Sequence, residues 1–427
     1  MTPSSRQVPS GPQEKYRSAE DLLQWMDRQF KLFGDTYKAS VFGVDVYATR
    51  DVGFAQYVLI DNWQNYVKGQ WIGRVALLLG KGLMVSKGDL WKRQRKMIQP
   101  AFNPDSVAAA TELISVVNTK LLSKWQLAAN RNESVNVTRD ISGMALEVVL
   151  RFIFGADYDR VAIHFELLSA EPARNPQFAA SFRALGKIIL EINELRRKDL
   201  SGCAGILGML MQARDPQSRD PMSDTQLVDE VLTLIVAGHE TTASTLSWCW
   251  YLLSQHPEVE EKLSNEFCAL QSLIAPIEFG NLAKFAYTRQ ILDETMRLYP
   301  AGWLLPRKAL HDDQLGEYFV PAGTEIYISP YFIQRNPALW EDADRFDPDR
   351  FRPENSRNRH RLATIPFSVG PRNCIGALFA RVEMQIHLMT IANRLRLRYT
   401  HSKPIELDAG VNLRSKSDFI MYPEVRN

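Results

Sequence analysis

The chain has 427 residues, a length that suits one large domain or two to three ordinary ones and allows a deep hydrophobic core. Hydrophobic residues make up 45% of it and charged residues 23%, as in a globular protein, and the formal net charge of +2 provides no global case for a nucleic-acid partner. The 4 cysteines are far apart and form no CxxC pair, which argues against a disulfide framework or a zinc cluster and favours a reducing compartment.

Residues 1–18 are polar and contain proline and serine, so we expect a flexible tail followed by a single domain over residues 19–427. The tail has no apolar core of the kind that signal peptides contain. No run in the chain approaches the ~18–20 apolar residues of a membrane span. The sequence therefore predicts a protein without a membrane anchor, located in the cytoplasm.

Apolar residues at helical spacing predict a first helix over residues 19–33, which Gly34 ends. Alternating residues on both sides of Gly43 predict a β-hairpin over residues 36–48. From there to about residue 300 the pattern is almost wholly helical, and extended segments return at residues 303–331, 395–399 and 418–422. Because the strands come from both ends of the chain, we predict one mainly helical domain with a small, interwoven β-rich part.

A basic helix is predicted from about Asp89, and Trp91 and Arg95 lie on one face of it at positions i and i+4. Most of the cations between Lys92 and Lys96 are typical of a solvated helix face. An indole and a guanidinium on one face are also able to hold an anionic group at the edge of an apolar pocket.

The longest predicted helix runs over residues 223–256, with a capping box from Ser223 to Gln226 and Pro257 after its end. Its centre reads Ala237-Gly-His-Glu-Thr-Thr242, where a glycine, a carboxylate and two threonines interrupt an apolar stripe. The structural alternative is a threonine hydroxyl bonded to the preceding turn, with Glu240 reaching solvent. A zinc-protease motif is excluded, because Ala243 stands where the second histidine would be needed.

Two further features follow. Glu294 and Arg297 lie at i and i+3 on a helix that Pro300 ends, and Arg350 is a candidate third member of a buried network with them. Cys374 lies in the glycine-rich loop Phe367-Ser-Val-Gly-Pro-Arg-Asn-Cys-Ile-Gly376, before an amphipathic run over residues 377–395.

Two physical features of this loop favour a reactive sulfur over a buried, inert thiol. The first N–H groups of the following helix would favour thiolate over thiol. The glycines would let the backbone pass close to something flat and bulky. A thiolate in this position is a nucleophile or a metal ligand.

These four separated motifs resemble those of the cytochrome P450 superfamily. The loop around Cys374 looks like its haem-ligand loop, and the centre of the long helix is similar to its oxygen-activation motif. Its structural Glu-Arg-Arg triad and its propionate-binding helix correspond to Glu294, Arg297 and Arg350 and to Trp91 and Arg95. The resemblance implies the cytochrome P450 fold, a mostly helical triangular prism with a small β-rich subdomain, and haem b bound without a covalent link.

The resemblance also implies roles for single residues. Cys374 would be the axial iron ligand, Phe367 would shield its sulfur, and Gly376 would let the ring approach closely. On the other face, Ala237 and Gly238 would leave room for O₂, while Thr241 would hydrogen-bond the oxygen species and Glu240 would pass protons from solvent. The two haem propionates would be bound by Trp91, Arg95, Arg307 and Arg372.

Because the acid–threonine pair Glu240-Thr241 is present, the resemblance implies an O₂-dependent monooxygenase that hydroxylates or epoxidises a hydrophobic small molecule. Electrons would come from a separate ferredoxin or flavodoxin with its NAD(P)H-dependent reductase, and the protein would be a monomer. The cations Lys92, Arg93 and Lys96 are candidates for docking such an acidic partner.

By position in the family, the substrate pocket would draw on Trp71, Ile72, Leu77, Val236, Trp303, Leu304 and Leu305. These side chains predict a large apolar cavity, for which a terpenoid, a steroid, a polyketide or a fatty-acyl compound is an equally good fit. The segment between the helices at residues 145–154 and 206–213, which forms the family's lid, is short and is interrupted by the prolines at 172 and 176.

Three alternatives remain at this stage. The first is a peroxide-driven or isomerising haem-thiolate enzyme, and the second is a haem-binding protein without catalysis. The third is a thiol-nucleophile hydrolase built on Cys374, which needs a histidine base; His387 is the nearest one along the following helix, and no orienting partner is evident for it.

Overall fold

The computed structural model describes residues 8–11, 22–41, 43–70, 72–162, 176–198, 205–316, 318–401 and 404–426. The chain divides into two compact units, each assembled from separated stretches. The first unit comprises Met1–Val75, Asp293–Cys374 and Ile405–Lys416, and the second comprises Ala76–Leu292, Ile375–Pro404 and Ser417–Asn427. The expectation of a single domain over residues 19–427 stays a prediction.

The described residues form helices and short strands. The helices are Leu22–Phe33, Val52–Gln56, Ile72–Leu79, Gly88–Ile98, Pro104–Ala109, Thr111–Asn130, Val137–Phe154, Pro176–Lys198, Ile206–Gln212, Asp224–Gln255, Pro257–Ala269, Ala286–Leu298, Pro330–Ile333, Pro353–Ser356 and Ala377–Ile391. The strands are β1 (Thr36–Val41), β2 (Val44–Thr49), β3 (Tyr66–Lys68), β4 (Val135–Asn136), β5 (Leu305–Ala309), β6 (Asp313–Leu315), β7 (Tyr318–Val320), β8 (Glu325–Ile328), β9 (Leu395–Arg398), β10 (Leu407–Ala409), β11 (Leu413–Ser415) and β12 (Ile420–Val425).

The first unit is built on a five-stranded sheet in the order β1-β2-β8-β5-β3. The predicted hairpin is confirmed, because β1 and β2 pair antiparallel with Val41 opposite Val44 and the turn contains Gly43 at φ +79°. Part of the expected flexible tail is packed, since Val8 is 2% exposed and Ser10 bridges to Lys38 of β1. The remaining tail residues lie outside the described ones.

Two hydrophobic clusters form the core of the first unit. One packs the helix Val52–Gln56 and the turn after it against β5, β7 and β8, through residues such as Phe54, Val58, Ile326 and Leu362. The other packs the helix Leu22–Phe33 against β1, β2 and the segment after Pro330, through Met26, Phe30, Tyr37, Trp303 and Phe332. The apolar face of the first helix therefore covers one part of the sheet, as its spacing predicted.

The second unit is built around the 32-residue helix Asp224–Gln255, called the long helix below. At 1.5 Å per residue it is about 48 Å long. The Ser223 hydroxyl caps it by accepting from Gln226 N at 3.2 Å, and the helix packs against Val137–Phe154. The three-stranded sheet β4-β12-β9 completes this unit.

The observed elements differ from the predicted ones at several ends. The last helix stops at Ile391 because the chain then turns into β9, whereas the pattern predicted it to 395. The strands β3, β4, β10 and β11 are two or three residues long and were not predicted, since such runs show too few alternations to form a pattern. Pro176 begins the 23-residue helix Pro176–Lys198, and the residues before it that interrupt the lid lie outside the described ones.

Candidate functional site

The Cys374 loop of the first unit is a set of tight turns held by backbone hydrogen bonds. Cys374 N donates to Phe367 O at 2.9 Å, and Asn373 N donates to Gly370 O at 3.0 Å. Ser368 and Gly370 have φ of +57° and +74°, in the left-handed region. The Cys374 side chain is exposed at the end of this loop.

The reason for glycine differs between the two positions of the loop. A Cβ at Gly370 would overlap the carbonyl oxygen of Leu59 in the same unit, so protein backbone already forbids a larger residue there. Around Gly376 a Cβ would meet only Phe102 Cε1, at the ordinary distance of 3.8 Å. We expected the glycines to let the loop backbone pass close to a flat group. Of these two positions, only Gly376 keeps that expectation, which stays a prediction.

Two arginines of the first unit lie near each other. Arg307 of β5 is 7% exposed and donates to Pro306 O at 2.9 Å. Burial lowers the pKa of Arg307 to about 10, and the positive charge of Arg372 adds to this effect. Burial also lowers the pKa of Arg372 to about 10. A buried and a half-buried guanidinium group that repel each other form a site that a doubly negative group would stabilise.

In the second unit, the helix Gly88–Ile98 carries Trp91, which is buried, and Arg95, which is half-buried and donates to Gln99 at 3.3 Å. Of the cations suggested for docking, Arg93 forms an ion pair with Asp215 at 2.8 Å, so its guanidinium is engaged within the unit. Lys92 pairs with the exposed Asp89 at 3.0 Å, and Lys96 is exposed. The docking suggestion therefore weakens for Arg93.

At the centre of the long helix, Thr241 Oγ1 donates to Ala237 O at 2.8 Å. This is the back-bond that was weighed as the structural alternative, and Glu240 is half-buried next to it. Gly238 permits close helix packing, because a Cβ there would lie 3.1 Å from Val149 of the neighbouring helix. His239 forms a 3.1 Å hydrogen bond with Ser142, and burial lowers its pKa.

The structure brings Glu294, Arg297 and Arg350 together in the first unit. Arg297 binds Glu294 through two hydrogen bonds of 2.6 and 2.8 Å, and both side chains are fully buried. Arg350 Nε lies 3.5 Å from Glu294. Burial raises the pKa of Glu294, and the neighbouring Arg297 opposes that shift.

A residue of this region that sequence analysis missed is Trp340. Its ring contacts both Arg297 and Arg359, whose guanidinium carbons are 4.7 and 4.1 Å from the ring centroid. No local pattern marks such a stack, because its three members are separated by 43 and 19 residues.

The substrate-pocket predictions are described only in part. Ile72 and Val236 are half-buried, whereas Trp71 and the side chain of Leu77 lie outside the described residues. Trp303 is 2% exposed, packs in the core of the first unit and donates its indole N–H to Gly410 O at 3.0 Å. Trp303 is therefore packed in the core of the first unit, and its place in a substrate pocket stays a prediction. Leu304 and Leu305 are half-buried at its side.

His387 does not suit the hydrolase alternative. Its Nε2 accepts from the Trp250 indole at 2.8 Å, so Nδ1 carries the proton and donates to Asn118 Oδ1 at 2.7 Å. Burial lowers the pKa of this histidine to about 3. With both ring nitrogens engaged inside the second unit, His387 has no lone pair left to act as a base. Within the described ranges, no group of three or more His, Cys, Asp or Glu side chains is arranged to hold a metal ion.

Comparison with known proteins identifies the family. The family model for cytochrome P450 matches residues 10–169 and 175–420. Cyclooctat-9-en-7-ol 5-monooxygenase of Streptomyces melanosporofaciens is 30% identical over 352 residues, which is 78% of this chain and 76% of that protein. Human cytochrome P450 4F8 is 30% identical over 76% of this chain and 71% of its own length.

Solved structures share the fold. Retinoic acid-bound cyanobacterial CYP120A1 has a TM-score of 0.87 at 23% identity, covering 99% of this chain and 100% of that one. The cytochrome P450 CYP102L1 has the same TM-score at 21% identity, with both chains covered completely. None of the described helices is long and apolar enough to cross a membrane. The chain belongs to the cytochrome P450 family and is a monooxygenase that uses a haem-iron cofactor.

Proposed function

We propose that the protein binds haem b through the Cys374 thiolate and uses O₂ and two electrons to hydroxylate or epoxidise a hydrophobic small molecule. The observation that carries this proposal is the arginine pair in the unit that contains the Cys374 loop. Arg307 and Arg372 both have pKa values lowered to about 10 by burial. Haem b carries two carboxylates, which match this pair in charge and number.

The donor set fits the cofactor on chemical grounds. A thiolate ligates iron, the loop that holds it is fixed by its own backbone hydrogen bonds, and the cations supply partners for the carboxylates. Trp91 and Arg95 of the second unit are the further candidates for binding them, and Phe367 is the candidate for shielding the sulfur. The cofactor, when bound, supplies the activation of O₂ that no side chain is able to perform.

The chain's own contribution to catalysis, in this proposal, is proton delivery. The Thr241 hydroxyl donates its proton to Ala237 O. The same hydroxyl is able to rotate and donate elsewhere, which breaks one weak hydrogen bond to the preceding helical turn. Glu240 is next to it and is the candidate for exchanging protons with solvent. A peroxide-driven or isomerising enzyme has no use for this pair, which is why it ranks second.

For the substrate we propose an isoprenoid compound. Two similar proteins support this choice: one is named for oxidation of cyclooctat-9-en-7-ol, and one was solved with retinoic acid bound. A fatty-acyl compound is the second candidate, because leukotriene-B4 omega-hydroxylase 3 of mouse is 29% identical to this chain. We further propose that the protein is a monomer that receives electrons from a separate ferredoxin or flavodoxin with an NAD(P)H-dependent reductase.

The test of this function is the absorption spectrum of the reduced, CO-treated protein. We expect the red-shifted Soret band of a thiolate-ligated haem, and we expect its loss in Cys374→Ala. Cys268→Ala is the matched control, because Cys268 is also exposed but belongs to the helix Pro257–Ala269. A colourless wild-type protein, or a band that survives in Cys374→Ala, would contradict the proposal.

A further inference from the structure

In the second unit, two successive acids of the long helix bind the loop formed by residues 80–83, called the 80–83 loop below. Lys81 N donates to Asp229 Oδ2 at 2.8 Å, and Leu83 N donates to Glu230 Oε2 at 2.8 Å. Alternate backbone amides of the loop therefore have partners on the first turns of the long helix.

Two glycines let the loop lie directly on the helix. Gly80 has φ +56°, and a Cβ there would overlap the Asp229 carboxylate. A Cβ at Gly82 would overlap Thr233 Oγ1 and would lie 2.6 Å from the backbone oxygen of Asp229, which is unable to move aside. The loop backbone therefore lies directly against the side chains and, at Gly82, the backbone of the helix, so that a single methyl group would disturb the contact.

The same loop is tied to the helix that follows it. Gln94, which is fully buried, donates from Nε2 to Lys81 O at 2.7 Å. Val85 N and Ser86 N both donate to Gly82 O, at 2.9 and 3.0 Å, and so close the turn that leads into Gly88–Ile98. The helix Gly88–Ile98 thus contacts the long helix through the 80–83 loop, and Gln94 lies on it between Trp91 and Arg95.

The junction is buried and polar. Glu230 is fully buried, and its Oε1 has no hydrogen-bond partner among the described residues. The buried oxygens Gln94 Oε1 and Thr233 Oγ1 also have none within the described ranges. A buried carboxyl group that receives one N–H, with no cation beside it in the described part of the chain, is most stable in its protonated form, in which it still accepts from Leu83 N.

We propose that Asp229 and Glu230 are positioning residues, which fix the helix Gly88–Ile98 through the 80–83 loop and so determine how firmly Trp91 and Arg95 retain the haem carboxylates. Neither acid touches the cofactor in this proposal. It rests on the proposed function, because it assigns a purpose to the orientation of two residues that are themselves candidates for haem binding.

Hydrogen exchange and haem release together test the proposal. In Asp229→Ala and Glu230→Ala we expect faster amide exchange in the 80–83 loop and in Gly88–Ile98, with the rest of the long helix unchanged. We expect transfer of haem to excess apomyoglobin to become about tenfold faster, the effect of losing one hydrogen bond to a buried acceptor. Asp229→Asn and Glu230→Gln keep an acceptor oxygen and should restore both rates to within about twofold.

Two control variants separate positioning from general stability. Glu112→Gln makes the same acid-to-amide change at an exposed position of the helix Thr111–Asn130. Leu121→Ala removes a buried side chain from that helix and lowers the overall free energy of unfolding without touching the loop. Both should release haem at the wild-type rate. If Leu121→Ala releases haem as fast as Glu230→Ala, the effect is one of stability and the positioning role is wrong.

The two proposals fail in different ways. If the wild-type protein shows the thiolate-haem band but the alanine variants release haem at its rate, the positioning role is wrong and the proposed function stands. If the wild-type protein does not bind haem, the proposed function is wrong. Amide exchange in the apoprotein then still tests whether Glu230 fixes the helix Gly88–Ile98. Unchanged exchange in that helix after Glu230→Ala would contradict the positioning role.

Discussion

At the scale of single residues, Thr241 has two roles in one place. Its hydroxyl satisfies a carbonyl of the preceding turn, as threonines inside helices commonly do. In the proposed function the same hydroxyl moves protons. The two roles are compatible because the back-bond is weak and a hydroxyl rotates freely.

We predict that Thr241→Ala consumes NAD(P)H at a rate near that of the wild type but releases hydrogen peroxide in place of most of the product. Thr241→Ser should keep the coupling, because serine retains the hydroxyl. Thr245→Ala is the matched control: Thr245 makes the same kind of back-bond one turn later, to Thr241 O at 3.0 Å, and is buried. The ratio of product to NAD(P)H consumed is the measurement, and full coupling in Thr241→Ala would remove this residue from proton delivery.

The sequence predicted local pairs of residues more successfully than the tertiary surroundings of those residues. The spacing of Glu294 and Arg297 indicated a pair, and the structure has that pair at 2.6 Å. It did not reveal that Arg297 also donates to the carbonyls of Gln334, Ala343 and Arg345, because those partners are 37 to 48 residues away. Position in the family predicts Trp303 for the substrate pocket, and the structure packs it in the core of the first unit. An apolar side chain looks the same in the sequence for both locations.

At the scale of elements, the Glu294–Arg297 pair fastens the helix Ala286–Leu298 to the segment that follows β8. Arg297 uses one face for Glu294 and the rest of its guanidinium for three backbone carbonyls. The buried arginine therefore satisfies three backbone carbonyls of the segment between Gln334 and Arg345.

We predict that Arg297→Met lowers the free energy of unfolding by about 3–5 kcal/mol, because it removes the nearer, doubly bonded charge partner of the buried Glu294 carboxyl and leaves that carboxyl with the more distant Arg350. The matched control is Arg352→Met. Arg352 pairs with Asp349 at the same i, i+3 spacing and at 2.9 Å, but its side chain is 46% exposed. Its loss should cost about 0–1 kcal/mol. Urea unfolding followed by fluorescence measures both, and equal losses in the two variants would contradict the argument from burial.

Element boundaries followed their local signals where those were strong. Ser223 caps the long helix and Gly43 turns the hairpin, because side-chain capping and a positive φ depend on nearest neighbours only. The 80–83 loop had no such signal. Its two glycines are explained by Asp229 and Thr233, about 150 residues further along the chain.

At the scale of the whole molecule, two buried groups give stability opposite pH dependences. Burial raises the pKa of Glu230 from 4.5 to about 8, and nearby Asp229 adds to this while the amide of Leu83 opposes it. The 80–83 loop, which packs against Glu230, contains one charged residue, Lys81, and its side chain is exposed. Burial lowers the pKa of His387 from 6.5 to about 3. The folded protein therefore holds a proton on Glu230 that the unfolded chain loses, and lacks one on His387 that the unfolded chain gains.

The direction in which each group changes the free energy of unfolding with pH follows from these proton counts. The contribution of Glu230 is complete below pH 4.5 and is lost as the pH rises to about 8, whereas that of His387 is complete above pH 6.5 and is lost as the pH falls to about 3. Of these two groups, only Glu230 changes its contribution between pH 6.5 and 8. We predict that this group lowers the free energy of unfolding there by up to about 1.4 kcal/mol per pH unit.

Glu230→Gln should flatten that slope, as measured by urea unfolding at pH 6.5 and 8.0. Glu383 is a second buried acid whose pKa is raised well above 4.5 by burial, so Glu383→Gln is the companion variant. The double variant should show the smallest slope. An unchanged slope in Glu230→Gln would contradict the assignment of this titration to Glu230.

The sequence by itself determined the family, the long helix, the first hairpin, and the chemical types at the proposed haem site. Each of these is written in short motifs whose members are neighbours in the chain, such as the ten residues from Phe367 to Gly376. Only the tertiary structure decided which side chains are buried together: the arginine pair of the first unit, Arg93 bound to Asp215, His387 saturated by Asn118 and Trp250, and the 80–83 loop on Asp229 and Glu230. The physical reason is that desolvation and pairing depend on distance in space, and residues that are far apart in a sequence carry no local record of it.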